Sequence, residues 1–187
     1  MPTKRTAGRF VAIAAGVIAV ASAAGAVSAT ALALTAGSHA ARTAAARHPC
    51  RASALRLRLA GTDTGAGSTA LTVTITNRSA AACSLQGYPA LRLARPDGSA
   101  APARIAAGRG PLFAGMSPAE VRLRPAGQAS FFLVYRDFNG RTGRTGPAIS
   151  ALRVRLLDVP GRFTVPARFA PFGALSVSPV RPGARRQ

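Results

Sequence analysis

The sequence predicts an all-β domain placed behind an N-terminal export segment. After Cys50, short stretches of alternating apolar and polar residues are separated by Gly, Pro and Asp turns, and no stretch has helical periodicity. The clearest alternation runs from Leu71 to Thr76, where Leu, Val and Ile alternate with threonine. Regularly spaced short strands are typical of a β-sandwich or barrel, here with about seven or eight strands.

Each strand is predicted from its own alternation, and turn residues separate one strand from the next. In chain order the expected strands cover Leu55–Leu59, Leu71–Thr76, Tyr88–Ala94, Val121–Leu123, Ala129–Tyr135, Leu152–Leu156, Phe163–Val165 and Leu175–Val177, with a weaker one near Arg104–Ala106. The stretch Ala129–Tyr135 is apolar on both faces, which predicts a central position in a sheet. Gly61–Ser68 is expected to form a flexible turn region, and Asn139–Pro147 an exposed loop.

The N-terminus predicts export from the cytoplasm. A basic start (Lys4, Arg5, Arg9) leads into a hydrophobic helix from Phe10 to about Ala36, and its roughly 27 residues are enough to span a bilayer. The run is rich in alanine, and small-x-small sites near it favour cleavage over an uncleaved anchor. The expected organisation is a signal peptide or signal anchor (1–36), a linker (37–49), a β-sandwich domain (50–180) and a basic tail (181–187). The domain is therefore expected to be secreted or anchored to the outer face of the cytoplasmic membrane.

The chain contains two cysteines, Cys50 and Cys83. In an oxidising compartment, such a pair most simply forms one disulfide, while free thiols or a metal site are the alternatives. A metal would need further ligands, and both histidines, His39 and His48, lie in the linker. A disulfide is therefore favoured.

The net charge of +20 predicts attraction to polyanions. Cleavage near Ala40 would remove three basic residues and no acidic one, leaving +17. An alternative explanation is a GC-rich genome, because Lys4 is the only lysine and Ala, Gly and Pro are abundant. Arginine usage by itself therefore does not identify a partner.

Several segments of the exported part form a specific combination. They are Cys50, Leu71–Ser79, the element Cys83-Ser84-Leu85-Gln86-Gly87-Tyr88-Pro89, Leu123–Ser130 and Leu175–Val180. In these segments the chain resembles an uncharacterised family of bacterial exported and envelope proteins, the domain of unknown function 4232. The resemblance implies an immunoglobulin-like β-sandwich, often found behind a signal peptide or a lipid anchor, and it implies no activity. Family members commonly have a second cysteine pair, but Arg141–Pro147 and Arg168–Gly173 contain no cysteine here, so that half must be held by packing alone.

The residues offer little basis for catalysis. The five acidic residues lie in or beside expected turns and are not spaced as a pair: Asp63, Asp97, Glu120, Asp137 and Asp158. The domain contains no histidine to act as a general base or metal ligand. The glycine-rich stretch 140–146 lacks the Gly-Lys-Ser/Thr ending of a phosphate loop, and we interpret it as a mobile basic loop. We therefore expect no enzyme, no metal and no cofactor.

Arginines on the predicted strands are the main candidates for binding. Seven of them alternate with core positions: Arg56, Arg58, Arg92, Arg122, Arg124, Arg153 and Arg155. If their strands share a sheet, they form a continuous basic face that can bind phosphate-rich polymers bidentately, and Arg56, Arg58, Arg153 and Arg155 are the residues chosen to test it. The alternative is a solvated face that only keeps the protein in solution. Nucleic acid is disfavoured because few aromatic residues are available to stack bases.

The predicted function is an exported, envelope-associated binding or structural module of unknown ligand, with an anionic envelope polymer or another envelope protein as its partner. The alternative is an accessory domain of an extracellular enzyme, or an enzyme of unrecognised type. Contact with the membrane is expected only through an uncleaved N-terminal segment.

Overall fold

The computed structural model describes residues 48–183, which fold into β-strands and two short 3₁₀ helices. The strands are β1 (Leu55–Gly65), β2 (Ser68–Asn77), β3 (Cys83–Leu85), β4 (Ala90–Ala94), β5 (Ala100–Ala101), β6 (Ile105–Ala107), β7 (Val121–Leu123), β8 (Gln128–Arg136), β9 (Ile149–Arg155), β10 (Phe163–Phe169), β11 (Phe172–Val177) and β12 (Arg181–Pro182). The 3₁₀ helices are Ala52–Ala54 and Pro111–Phe113. The predicted all-β class is confirmed.

The strands form three sheets. The six-stranded sheet has the order β1-β2-β8-β11-β6, with β12 also paired to β8. The four-stranded sheet has the order β10-β9-β4-β5, and β3 pairs with β7 in a two-stranded sheet. All neighbours are antiparallel except β6 and β11.

One hydrophobic cluster receives side chains from all three sheets. Its fully buried members include Val73 and Ile75 of β2, Phe131 of β8, and Leu152 and Val154 of β9. In β2 and β9 these residues alternate with polar or more exposed neighbours, because successive side chains of a strand point to opposite faces. The alternation in the sequence thus identified the residues that pack together.

The central position predicted for Ala129–Tyr135 is confirmed, because β8 pairs with β2 on one side and with β11 and β12 on the other. Its second apolar face is covered by the segment between β6 and β7. Phe132 points away from the main cluster and stacks on Phe113, with ring centroids 5.3 Å apart. Burial on both faces accounts for the apolar sequence of this strand.

The prediction of a flexible turn over Gly61–Ser68 is wrong. β1 continues to Gly65, and a bulge between Leu59 and Gly61 adjusts its register against β2. The turn is confined to Ala66 and Gly67, which have φ values of 49° and 72°. Two successive positive φ values are characteristic of a type I′ turn, whose twist matches that of a β-hairpin.

Three short strands, β3, β5 and β12, were not predicted; β5 and β12 have only two residues each, too few to show an alternation. The exposed loop over Asn139–Pro147 is confirmed. The signal segment 1–36, most of the linker 37–49 and the end of the basic tail lie outside the described residues. Within residues 48–183, no helix is long and apolar enough to cross a membrane.

Candidate functional site

The seven candidate arginines are divided among the three sheets. Arg56 and Arg58 lie on β1 of the six-stranded sheet, whereas Arg153 and Arg155 lie on β9 of the four-stranded sheet. The others follow the same division by strand: Arg92 on β4, Arg122 on β7 and Arg124 directly after β7. The expectation of one continuous basic face formed by all of them is therefore corrected, because the alternation that placed them outside the core does not specify which sheet a strand joins.

The four-stranded sheet nevertheless concentrates arginine on its outer face. Arg92 and Arg153 are direct cross-strand partners, and Arg155 follows two residues later on β9, about 7 Å along the strand. Phe163 of β10 pairs with Val154 of β9, and the two strands are antiparallel. Arg162, the residue before Phe163, therefore lies beside Arg155. We call this set (Arg92, Arg153, Arg155 and Arg162) the four-stranded arginine surface. All four residues are exposed.

No acidic residue balances this surface on the four strands that form its sheet. Like charges placed directly opposite each other on neighbouring strands destabilise a sheet. Arg153 is partly fixed by a turn, because its Nη2 donates a hydrogen bond to the carbonyl oxygen of Gly98 at 2.8 Å. A clustered, partly oriented set of guanidinium groups is the arrangement that a phosphate or carboxylate ligand would stabilise.

The disulfide between Cys50 and Cys83 is confirmed, with 4.8 Å between the two Cα atoms. Both cysteines are buried, and the chain around them is fixed by backbone hydrogen bonds to β3. Cys50 N donates to Ser84 O at 3.1 Å, and Ser84 N donates to His48 O at 2.8 Å. The disulfide therefore attaches the start of the described chain to the two-stranded sheet.

Residues of the element Cys83–Pro89 contribute packing contacts and hydrogen bonds to the fold. Gly87 has a φ of 79°, and a Cβ at this position would lie 2.6 Å from Cδ2 of Leu157. Its carbonyl oxygen accepts a hydrogen bond from Val180 N at 3.0 Å. The Tyr88 ring packs against Gly108, leaving no space there for a side chain. The most specific segment of the sequence thus has a structural role.

The model of the Domain of unknown function (DUF4232) family matches residues 50–181. The chain belongs to this family. The match includes the disulfide, the element Cys83–Pro89 and the strands of all three sheets. No curated protein and no solved structure matches the chain.

Asn77, which directly follows the predicted strand Leu71–Thr76, is a further structural centre of this DUF4232 domain. Its side chain is fully buried, and Nδ2 donates to three carbonyl oxygens: Ala81 at 2.8 Å, Leu123 at 3.2 Å and Arg124 at 3.2 Å. Its Oδ1 accepts hydrogen bonds from Ser79 N and Ser79 Oγ at 3.0 and 2.8 Å. Asn77 thus joins the end of β2 to the end of β7.

Acidic side chains of the DUF4232 domain take part in local hydrogen bonds. Asp97 accepts from Ser99 N at 2.8 Å, and hydrogen bonds from Ser99 lower its pKa below the usual aspartate value. Asp137 accepts from Thr69 Oγ1, and Asp158 accepts from the Gln86 amide, both at 2.6 Å. In the described part of the chain, no three His, Cys, Asp or Glu side chains come together to hold a metal ion.

The glycine-rich loop 140–146 has its backbone N–H groups directed inward. Asn139 Oδ1 accepts from Arg141 N at 2.9 Å, and Asn139 O accepts from Gly143 N at 2.8 Å. Arg144 N donates to Thr142 Oγ1 at 3.4 Å. A phosphate loop needs free N–H groups pointing at the anion, so this geometry supports the interpretation of an ordinary exposed loop.

Two clefts lie outside the four-stranded arginine surface. One, of about 470 Å³, lies between this loop and β11, and its charged lining residue is Arg144. The other, of about 890 Å³, lies beside the disulfide, and its polar and charged lining residues are His48, Arg51, Ser79 and Asp158. Asp158 already accepts a hydrogen bond from Gln86, and nothing in the cleft pairs a nucleophile with a base.

Proposed function

We propose that this chain is an exported binding module of the cell envelope, built as an immunoglobulin-like β-sandwich, which contacts an anionic polymer through the four-stranded arginine surface. The single observation that supports this most is the direct cross-strand pair of Arg92 and Arg153, with Arg155 beside it, on strands that contain no acidic residue. Arginine is suited to this role because its planar guanidinium binds phosphate and carboxylate groups bidentately.

The sandwich architecture is supported by the shared core. Leu152 and Val154 of the four-stranded sheet belong to the same hydrophobic cluster as Val73, Ile75 and Phe131 of the six-stranded sheet. Two sheets that bury their inner faces in one shared core are typical of a β-sandwich such as an immunoglobulin-like domain.

The disulfide supports a location outside the cytoplasm, because disulfides persist in oxidising compartments. Fractionation and N-terminal sequencing of the protein test the location. We expect either a new N-terminus within Ala23–Ala40 or an intact chain anchored with its domain outside. Recovery of the intact chain from the cytoplasm would contradict the proposal.

Binding is tested by retention on an anionic matrix over a series of salt concentrations. Exposed charges are screened over about 8 Å at physiological ionic strength, so retention should fall steeply as salt rises. The double variant R153Q/R155Q should elute at lower salt than the wild type. Its matched control, R141Q/R144Q, removes the same charge from the exposed loop and should elute close to the wild type.

Two results would contradict the proposal. The first is no retention of the wild type at low salt, which would leave the arginines as a solvated face. The second is an equal shift for the two double variants, since binding would then depend on net charge and not on the four-stranded arginine surface.

A further inference from the structure

The register of the four-stranded sheet divides its arginine surface into two pairs. Arg92 of β4 and Arg153 of β9 are direct cross-strand partners. Arg155 lies two residues further along β9, and Arg162 lies beside it, immediately before β10. Directly opposed residues on neighbouring strands have Cβ atoms about 5 Å apart, so the two guanidinium groups of a pair can reach one anion. We call Arg92 and Arg153 the first arginine pair, and Arg155 and Arg162 the second.

The two pairs are offset diagonally. The first pair bridges β4 and β9, whereas the second bridges β9 and the start of β10. Two residues along a strand span about 7 Å, and neighbouring strands lie about 5 Å apart, so the midpoints of the pairs are about 8 Å apart. The third position of each row is a small exposed residue, Thr164 beside Arg153 and Ala90 beside Arg155. No bulky side chain of these rows therefore stands between the two pairs.

A turn holds the first pair away from the second. Nη2 of Arg153 donates to the carbonyl oxygen of Gly98 at 2.8 Å. Gly98 follows the end of β4, whereas Arg155 is paired with Ala90 at the start of that strand. The guanidinium group of Arg153 therefore extends away from Arg155. A guanidinium has five N–H donors, so this hydrogen bond leaves four of them for a ligand.

We infer that the four-stranded arginine surface contains two phosphate subsites, one on each arginine pair, and binds a linear chain with phosphate groups about 8 Å apart. This inference rests on the proposed function and names its ligand class. A phosphate has enough oxygens to accept hydrogen bonds from both guanidinium groups of a pair. The bound anion also offsets the repulsion between like charges that face each other on neighbouring strands.

Two kinds of chain have this spacing. In a phosphodiester chain, a short organic spacer separates successive phosphates, whereas in a polyphosphate chain the phosphates that meet the two pairs are separated by other phosphates. Both present two phosphates to the two pairs at once, which a compact diphosphate cannot do. The subsites therefore select for the span between phosphate groups as well as for their charge.

Titration with short phosphate compounds tests the subsites, using the protein recovered from an exporting host at low salt. The backbone amides of β4 and β9 are followed by NMR. The probes are pyrophosphate, 1,6-hexanediol bisphosphate and linear tetraphosphate. Wild-type protein should bind hexanediol bisphosphate about tenfold more tightly than pyrophosphate, because only the longer molecule adds contacts to the second pair. Tighter binding of hexanediol bisphosphate than of tetraphosphate would identify a phosphodiester chain as the ligand, and the reverse order a polyphosphate chain.

Three double variants separate pairing from charge. R92Q/R153Q removes the first pair and R155Q/R162Q the second, so each should lose the preference for hexanediol bisphosphate and still bind pyrophosphate through the remaining pair. R153Q/R155Q removes the same charge but takes one arginine from each pair, so it should weaken the binding of pyrophosphate as well. The control R141Q/R144Q should bind every probe as the wild type does.

The outcomes distinguish this inference from the proposed function. If the wild type is not retained on the anionic matrix at low salt, the proposed function fails and the inference fails with it. If the wild type is retained but binds hexanediol bisphosphate no more tightly than pyrophosphate, only the two subsites are overturned. The same affinities in R92Q/R153Q and R153Q/R155Q would also overturn them, because the charge of the surface would then explain binding without pairs.

Discussion

Replacing Asn77 by aspartate should destabilise the domain far more than the small chemical change suggests. The substitution keeps the size of the side chain and the Oδ1 acceptor for Ser79, but it removes the Nδ2 donor that serves the carbonyl oxygens of Ala81, Leu123 and Arg124. Losing two N–H donors costs about 2 kcal/mol of unfolding free energy, at about 1 kcal/mol for each hydrogen bond. A carboxylate facing three carbonyl oxygens at a buried position adds to this cost.

The additional cost of N77D should depend on pH. Burial and the neighbouring carbonyl oxygens raise the pKa of the introduced carboxyl above the value of about 3.9 that it has in the unfolded chain. Below about pH 3.9 the group is protonated in both states, so only the lost donor matters. As pH rises above that value, the carboxyl ionises first in the unfolded chain. The unfolding free energy of the variant then falls by about 1.4 kcal/mol per pH unit until pH reaches the pKa of the carboxyl in the folded state.

Urea denaturation of wild-type and variant protein at about pH 4 and pH 7 measures both effects. The matched control is N139D. Asn139 also accepts backbone hydrogen bonds in a turn through Oδ1, but its Nδ2 does not donate to the carbonyl oxygens that Asn77 serves. We expect a loss of about 3 kcal/mol or more for N77D at pH 7, and less than about 0.5 kcal/mol for N139D, as for a surface substitution. Equal losses for the two variants, or a loss for N77D that does not grow with pH, would refute the reasoning.

Three further predictions follow from the turn, the disulfide and a buried tyrosine. In urea denaturation without reductant, the double variant C50A/C83A should have an unfolding free energy about 3.7 kcal/mol lower than that of the wild type. This is the chain-entropy value for a disulfide with a sequence separation of 33, and a loss below about 1 kcal/mol would contradict it. A66N should raise Tm, with a gain of about 0.5–1 kcal/mol, because asparagine tolerates the positive φ of 49° better than alanine does; an unchanged or lower Tm would count against the type I′ turn. Burial raises the pKa of Tyr135 above 10.0, so the unfolded chain ionises first and stability falls as pH rises past that value. Y135F should remove this part of the fall in Tm between about pH 9 and pH 11, and an unchanged pH profile would contradict it.

The sequence predicted which side of each strand faces the core, but not which strands pair. Arg56 and Arg153 illustrate the limit, because each lies between two apolar residues of an alternating segment and the two are indistinguishable by pattern. Their separation into two sheets depends on pairing between strands far apart in the chain, such as β2 with β8 and β4 with β9. Alternation is a local property, whereas pairing is set by the packing of the whole domain.

Asn77 shows the same limit for polar residues. The predicted strand ended at Thr76, directly before Asn77, and β2 ends at Asn77 in the structure. However, two of its three carbonyl partners lie 46 and 47 residues further along the chain, and no local signal predicts them. The disulfide was predictable because the compartment and the number of cysteines limited the alternatives. The hydrogen-bond partners of a side chain such as that of Asn77 are not limited in this way, because many carbonyl groups could accept from it.

The segments that carry the resemblance to DUF4232 proteins and the residues proposed to bind polymer are different parts of the molecule. Gly87 is buried, Cys83 forms the disulfide and the half-buried Tyr88 ring packs against Gly108, so each of them has a structural role. The four-stranded arginine surface lies on β4, on β9 and on the residue before β10, outside the element Cys83–Pro89. Exposed surface positions can change without affecting the core, whereas any other residue at Gly87 would be strained by its φ of 79°. Membership of the family therefore accounts for the fold, whereas the proposed polymer contacts depend on exposed residues outside the family's most specific element.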